Sequence, residues 1–155
     1  MKKPTRIEER SPPARKAAAP ASPLPEPVPA APRPRTCLVV DDSRVIRMVV
    51  RRILEAMGLA VVDAPDGHAG LQACRGAMPD LVVLDWNMPV MDGGSFLAEL
   101  RASPGGLDVP VLVCSSENDA ARVSAALDAG AAEYVMKPFD ADILHGKLAQ
   151  LGIFR

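Results

Sequence analysis

Asp41, Asp42, Asp85, Ser115 and Lys137 each stand at or just beyond the end of a short apolar run. Carboxylates at those places can hold a hard cation, an ammonium can balance charge on oxygen, and a hydroxyl can donate to an anion. Whether they do any of this depends on whether the chain brings them together. Asp85 follows Leu81-Val82-Val83-Leu84, and Pro89 and Gly93 then turn the chain away from any strand. Taken alone, a buried strand closed by an ordinary acidic turn would read the same.

The elements that must position these residues alternate. Residues 37–40 predict a buried strand ending in Asp41-Asp42, and Ser43 then caps a helix to about Met57. Val45, Ile46, Val49, Ile53, Leu54 and Met57 mark its expected apolar face, with Arg44, Arg51, Arg52 and Glu55 mostly toward water. A second strand is expected at 60–64, and a helix opened by Asp66 runs to about Ala77. The central strand is 81–85, followed by a helix from about Ser95 to Ala102. Val109 to Cys114 reads as the fourth strand, closed by Ser115 and Ser116. An Ala-rich helix near Asp119 to Ala129 has Val123 and Leu127 as its larger anchors. Glu133 to Met136 is the fifth strand, closed by Lys137-Pro138; Asp140 caps a last helix with Ile143, Leu144, Leu148 and Leu151 inward. This alternation predicts an α/β fold: a doubly wound five-stranded parallel sheet with five helices.

In a parallel sheet the strand ends above share one edge. The order 2-1-3-4-5, borrowed from folds of this type, makes strands one and three neighbours at the switch point, so Asp41, Asp42 and Asp85 converge there. Three close carboxylates repel, and either one stays protonated or a cation neutralises them. Oxygen ligands with room for water suit Mg²⁺ better than Zn²⁺ or a closed Ca²⁺ cage. With Lys137 and Ser115 nearby, a carboxylate is equipped to attack phosphorus and hold the resulting oxygens.

The totals narrow the classes. Residues 1–35 hold ten of the sixteen prolines and carry eight Lys/Arg against three Asp/Glu, a net +5; the remainder has ten against sixteen, a net −6. A disordered Pro/Ala-rich basic tail, acting as a solvating linker, is therefore expected before a folded domain at 36–155. The acidic domain argues against direct nucleic-acid binding. No signal peptide or membrane span is read, so a soluble cytoplasmic protein is expected. Cys37, Cys74 and Cys114 read as buried reduced thiols. His68 and His145 read as surface residues, most Met as core filler, and Trp86 as a partly exposed neighbour of Asp85.

Leu-Val-Val-Asp-Asp, Asp-Trp-Asn-Met-Pro-Val-Met-Asp-Gly, Pro-Val-Leu-Val-Cys-Ser-Ser and Glu-Tyr-Val-Met-Lys-Pro-Phe, in that order, resemble the response-regulator receiver domain. The resemblance covers roughly residues 36–151. It is strongest to stand-alone chemotaxis regulators, with a flavodoxin/CheY-like fold. It implies that Asp85 accepts a phosphoryl group from the phosphohistidine of a sensor histidine kinase. It also implies Mg²⁺ ligated by Asp42 and Asp85 directly, by Asp41 mainly through water, and by the backbone carbonyl of Asn87. Lys137 would pair with the phosphoryl oxygens and Ser115 would swing to bond them, with Tyr134 changing rotamer behind it. Ser115 stands where Thr is commoner, which removes a methyl from the packing against Tyr134. Asn87 and Glu117 occupy positions that tune phosphoryl lifetime. The family also leads to a cis bond before Pro138, where sequence alone favours trans.

Only about four residues follow the last helix, so a monomer without an effector domain is expected. Its signal would leave through the face of the fourth helix, fifth strand and fifth helix, with Val123, Leu127, Tyr134 and Lys147 as contacts. The partner would be a flagellar switch component in chemotaxis or motility, or alternatively a histidine phosphotransferase in a relay or phosphate sink. An aspartyl-phosphate phosphatase is disfavoured, because haloacid-dehalogenase-type enzymes need an acid two residues after the nucleophile and here that residue is Asn87. The protein is therefore expected not to be an enzyme in the turnover sense. Nucleotide binding lacks both Gly-x-Gly-x-x-Gly and a P-loop. Arg44, Arg47, Arg51 and Arg52 make the first helix basic, which reads as a solvated face before it reads as a kinase-docking surface.

Overall fold

A computed structural model describes residues 34–116 and 120–153. The expected disorder of residues 1–35 falls, up to residue 33, outside the described residues, and so does Glu117. The elements run β1 (Thr36–Val40), α1 (Arg44–Ala56), β2 (Ala60–Ala64), α2 (Gly67–Gly76), β3 (Leu81–Asp85) and α3 (Gly93–Ala102). They continue as β4 (Val111–Ser115), α4 (Ala120–Asp128), β5 (Glu133–Met136) and α5 (Ala141–Gln150). All pairings are parallel and the order is β2-β1-β3-β4-β5, as expected.

Strand period two divides the core between the faces of the sheet. Leu38, Val40, Val82, Leu84, Val111 and Val113 pack with Leu71 of α2, with Phe96, Leu97 and Leu100 of α3 and with Ala126 of α4. Cys37, Val39, Leu81, Val83, Leu112 and Cys114 pack with Val50 and Leu54 of α1 and with Leu144 and Leu148 of α5. Burial on both faces is why β1, β3 and β4 are almost uninterrupted apolar runs.

Capping chemistry sets several helix starts. Side chains of Ser43, Asp66 and Asp140 accept from the N–H groups of Ile46, Ala69 and Ile143. Asp92 does the same for Ser95, so α3 begins at Gly93, two residues before the expected start. β4 begins at Val111 because Pro110 has no N–H and contributes only its carbonyl, which accepts from Val82 N–H at 3.0 Å.

Several expected apolar faces are corrected. On α1 the buried residues are Val50 and Leu54, while Val45 is 69% exposed and Val49 is also exposed. The helix is rotated so that the stripe through Ile46, Val50, Ile53, Leu54 and Met57 meets the sheet. On α4 the buried anchor is Ala126 and Leu127 is exposed; on α5, Ile143 is exposed. Tyr134, expected as a surface contact, is buried in the cluster that includes Ala126. All three cysteines are free and buried, and His68 and His145 lie on exposed positions. Burial pushes all three thiols up.

Candidate phosphoryl-acceptor and metal site

Register brings the acids together. Val40 pairs with Leu84, so the next residues, Asp41 and Asp85, lie side by side at the carboxyl edge of adjacent strands. One carboxylate oxygen from each of Asp41, Asp42 and Asp85 lies within 4.8 Å of the others; Asp41 and Asp85 are buried and Asp42 is exposed. On the far side, Asp85 pairs with Cys114 and Ser115 with Met136, placing Ser115 and Lys137 at the same edge.

Lys137 reaches back from the end of β5, across β4, to both neighbours of the switch point. Its Nζ donates to Asp41 Oδ2 at 2.7 Å and lies 3.3 Å from Asp85 Oδ1. β5 stands two strand spacings, ~10 Å, from β3 and three, ~14 Å, from β1, so a long flexible ammonium suits the reach. The Lys137-Pro138 bond is cis. Ser115, fully buried, has its Oγ 3.2 Å from the Asn87 Nδ2 donor. The Asn87 Oδ1 lies 3.5 Å from Arg122 Nη1 of α4.

The electrostatics follow from burial and like charge. Asp85 is pushed up to about 6, chiefly by burial and further by the charge of Asp41, with Lys137 working against both. Burial alone would lower Lys137, but the hydrogen bond and charge of Asp41, with the charge of Asp85, leave it raised. An ammonium already sits among the carboxylates. The donor set is all oxygen and open through Asp42, which fits a small hard divalent cation that keeps some water.

The loop after Asp85 is shaped by close approach. Gly93 N–H donates to Trp86 C=O at 3.0 Å. A Cβ on Gly93 would come within 2.8 Å of Trp86 Cα and 2.9 Å of the Asp85 carbonyl oxygen. Met91 N–H donates to Pro89 C=O at 2.8 Å across Val90, whose φ is +71°. This is a γ-turn in the strained sense, held by a β-branched residue. Trp86 is half-buried against the α3-side core.

A family model for the response regulator receiver domain matches residues 37–149. The chain belongs to that family. Among curated relatives it is similar to the transcriptional regulatory protein CseB of Streptomyces avermitilis, 40% identical over 111 residues, covering 72% of this chain and 46% of that protein. It is also similar to the response regulator MprA of Mycolicibacterium vanbaalenii, 39% identical over 118 residues, covering 76% and 50%. The receiver chain thus spans about half the length of these curated relatives. Among solved structures, the chemotaxis protein CheY4 of Vibrio cholerae superposes with a TM-score of 0.74 at 30% identity, over 76% of this chain and 98% of that one. The receiver domain of a signal transduction histidine kinase from Syntrophus aciditrophicus gives 0.69 at 26% identity, covering 76% and 89%.

The receiver fold brings together Asp41, Asp42, Asp85 and Lys137, with Ser115 and Asn87 bonded beside them. Tyr134 lies deeper, in the α4-side core. Sequence reasoning missed the partners of α1's arginines. Arg47 and Arg51, grouped with the solvated charges, both turn onto Asp63 of β2, at 3.1 and 3.0 Å. Their i, i+4 spacing, with a lone acid in the next strand, was the available signal. A cavity of about 390 Å³ lined by Cys74, Met78 and Pro104 lies at the opposite edge of the sheet, away from this chemistry. Among the described residues no helix is long and apolar enough to cross a membrane.

Proposed function

We propose that this receiver domain is a phosphorylation-driven switch in which Asp85 is the acceptor. A carboxylate oxygen of Asp85 attacks the phosphorus of a sensor kinase's phosphohistidine, the P–N bond breaks, and the imidazole leaves and takes up a proton. Asp41, Asp42, Asp85 and the Asn87 carbonyl would hold Mg²⁺. Bound there, Mg²⁺ would supply positive charge to the phosphoryl oxygens. Lys137 then exchanges its bond with Asp41 for one with a phosphoryl oxygen, and the Ser115 hydroxyl turns from the Asn87 Nδ2 donor to donate to another phosphoryl oxygen. Tyr134 answers the movement of Ser115 from behind, and Asn87 and Glu117 set how long the acyl phosphate lasts. The observation that carries this reading is Lys137 Nζ placed 3.3 Å from the buried Asp85, inside a three-carboxylate cluster.

Incubation with Mg²⁺ and a small phosphodonor should label the protein once, at Asp85, and leave Asp85→Asn unlabelled. Sustained turnover of phosphomonoesters would mean a phosphatase instead. We read the output as a protein partner, engaged by a cytoplasmic monomer through α4, β5 and α5, in chemotaxis or motility signalling. Leu127, Met136 and Ile143, exposed apolar residues of those elements, support this, as does the match to nearly all of CheY4. Pull-down of a flagellar switch protein should be stronger with the phosphorylated form; equal or absent capture counts against motility. The identity to CseB favours a second reading, input to transcription control. Rapid loss of label to a histidine phosphotransfer protein would point to a relay or sink.

A further inference from the structure

Asp41 is held at more points than a cation ligand alone would need. Its N–H donates to Ala64 C=O at 3.2 Å, and its Oδ1 accepts from Ser43 N–H at 2.9 Å. Its carbonyl oxygen accepts from Arg47 Nη1 at 2.7 Å. The same guanidinium donates from Nε to Asp63 Oδ2 at 3.1 Å, and its side chain is only 14% exposed. Asp63 in turn accepts from Arg51 Nη2 at 3.0 Å, and Arg51 also donates to Val61 C=O at 3.0 Å. Burial works to raise Asp63, but hydrogen bonds and charge from Arg51 and Arg47 hold it below the usual carboxylate range.

We propose that Arg47 is a positioning residue for the metal-binding loop, tying the Asp41 main chain to the end of β2 through Asp63; this rests on reading the acidic cluster as a Mg²⁺ site. The guanidinium fork is suited to the task because its donors point in fixed, divergent directions, and a Lys could not serve both acceptors with the same geometry. Placing a half-buried cation beside a cation site would oppose Mg²⁺ unless its charge were offset. Asp63 pairs with both Arg47 and Arg51, and Glu55 lies 3.1 Å from Arg51, so two arginines and two acids balance and the group acts mechanically and not as net charge. A bracket on the main chain fixes where the Asp41 carboxylate starts, so that its Oδ2 can exchange Lys137 for the ion while Oδ1 stays on the Ser43 N–H; orienting a ligand in this way is what outer partners of metal ligands generally do.

The test is a MgCl₂ titration of the full chain followed by backbone amide NMR, with thermal melts alongside. Arg47→Met should raise the Mg²⁺ Kd about tenfold, the lower end of typical effects of outer-shell partners. Ile53→Ala, which loosens the same helix without touching Asp41, should leave it within about twofold while lowering the melting temperature. Asp63→Asn keeps the guanidinium but removes its anchor and charge balance; it should also raise Kd and serves if Arg47→Met does not fold. Equal Kd values for wild type and Asp63→Asn or Arg47→Met, or an Ile53→Ala shift as large as theirs, would overturn the assignment. A wild-type chain that shows no saturable Mg²⁺ binding would overturn the metal-site reading itself.

Discussion

At the scale of single residues, Asp85 carries a measurable signature. Its carboxyl titrates at about 6 in the fold against ~3.9 in an unfolded chain, so between those values the native state binds more protons. Stability from this group is therefore present below pH ~4 and lost as pH rises through about 6. Asp85→Asn is expected to stabilise the protein by about 2 kcal/mol at pH 7 and by much less at pH 4, read by urea unfolding at both pH values. The same titration makes protons compete with Mg²⁺. The apparent Mg²⁺ affinity of the wild type is expected to fall by several-fold between pH 7 and pH 5, and an unchanged affinity would mean that Asp85 is not a ligand.

At the scale of elements, the β3–α3 connection is where main-chain geometry constrains the site. Gly93 has no room for a methyl group against Trp86 and the Asp85 carbonyl. Gly93→Ala is expected to cost about 2 kcal/mol and to slow phosphoryl acceptance, because the loop can relieve the clash only by moving Asp85 or Trp86. Three residues earlier the reason is different. Val90 is 90% exposed and holds a positive φ, so little burial rewards its conformation. Val90→Asn, which tolerates that conformation, is expected to gain about 0.5–1 kcal/mol in chemical unfolding. A loss of stability there would show that Val90 is held by packing and not merely strained.

At the scale of the whole molecule, the α1-side and α4-side cores rest on opposite faces of one sheet, and the site sits on the edge where both layers end. Lys137 crosses that edge to reach Asp41, 96 residues away in the chain. Removal of residues 1–35 takes nothing from either core, because β1 begins at Thr36 and none of the described core residues precedes Cys37. The truncated protein, started at Thr36 to keep β1, is expected to accept phosphoryl at a rate within about twofold of the full chain. A large loss of acceptor activity would give the basic segment a role in the reaction.

Much of the candidate site was legible because its residues are punctuation. Ser43, Asp66 and Asp140 announce helix starts by the local bonds they alone can make, and Asp41, Asp85 and Lys137 stand out as charges at the ends of runs that are otherwise apolar. Such signals lie within a few residues of their cause. The strand order that sets Asp41 beside Asp85 was borrowed from folds of the same type, since no local pattern encodes which strands are neighbours. Other features only the tertiary structure decided. Helix α1 has apolar residues on two adjacent stripes, and periodicity cannot say which one meets the sheet; packing chose Val50 and left Val45 and Val49 in water. The same rotation carried Arg47 and Arg51 inward to Asp63, where a neighbouring strand offered an acid. Tyr134 was drawn into the core and Leu127 left outside for a related reason: a short amphipathic helix over a sheet edge is seated by the volume beneath it, not by its own pattern. Identity of the reacting groups was local chemistry, and their separation and support came from contacts between distant parts of the chain.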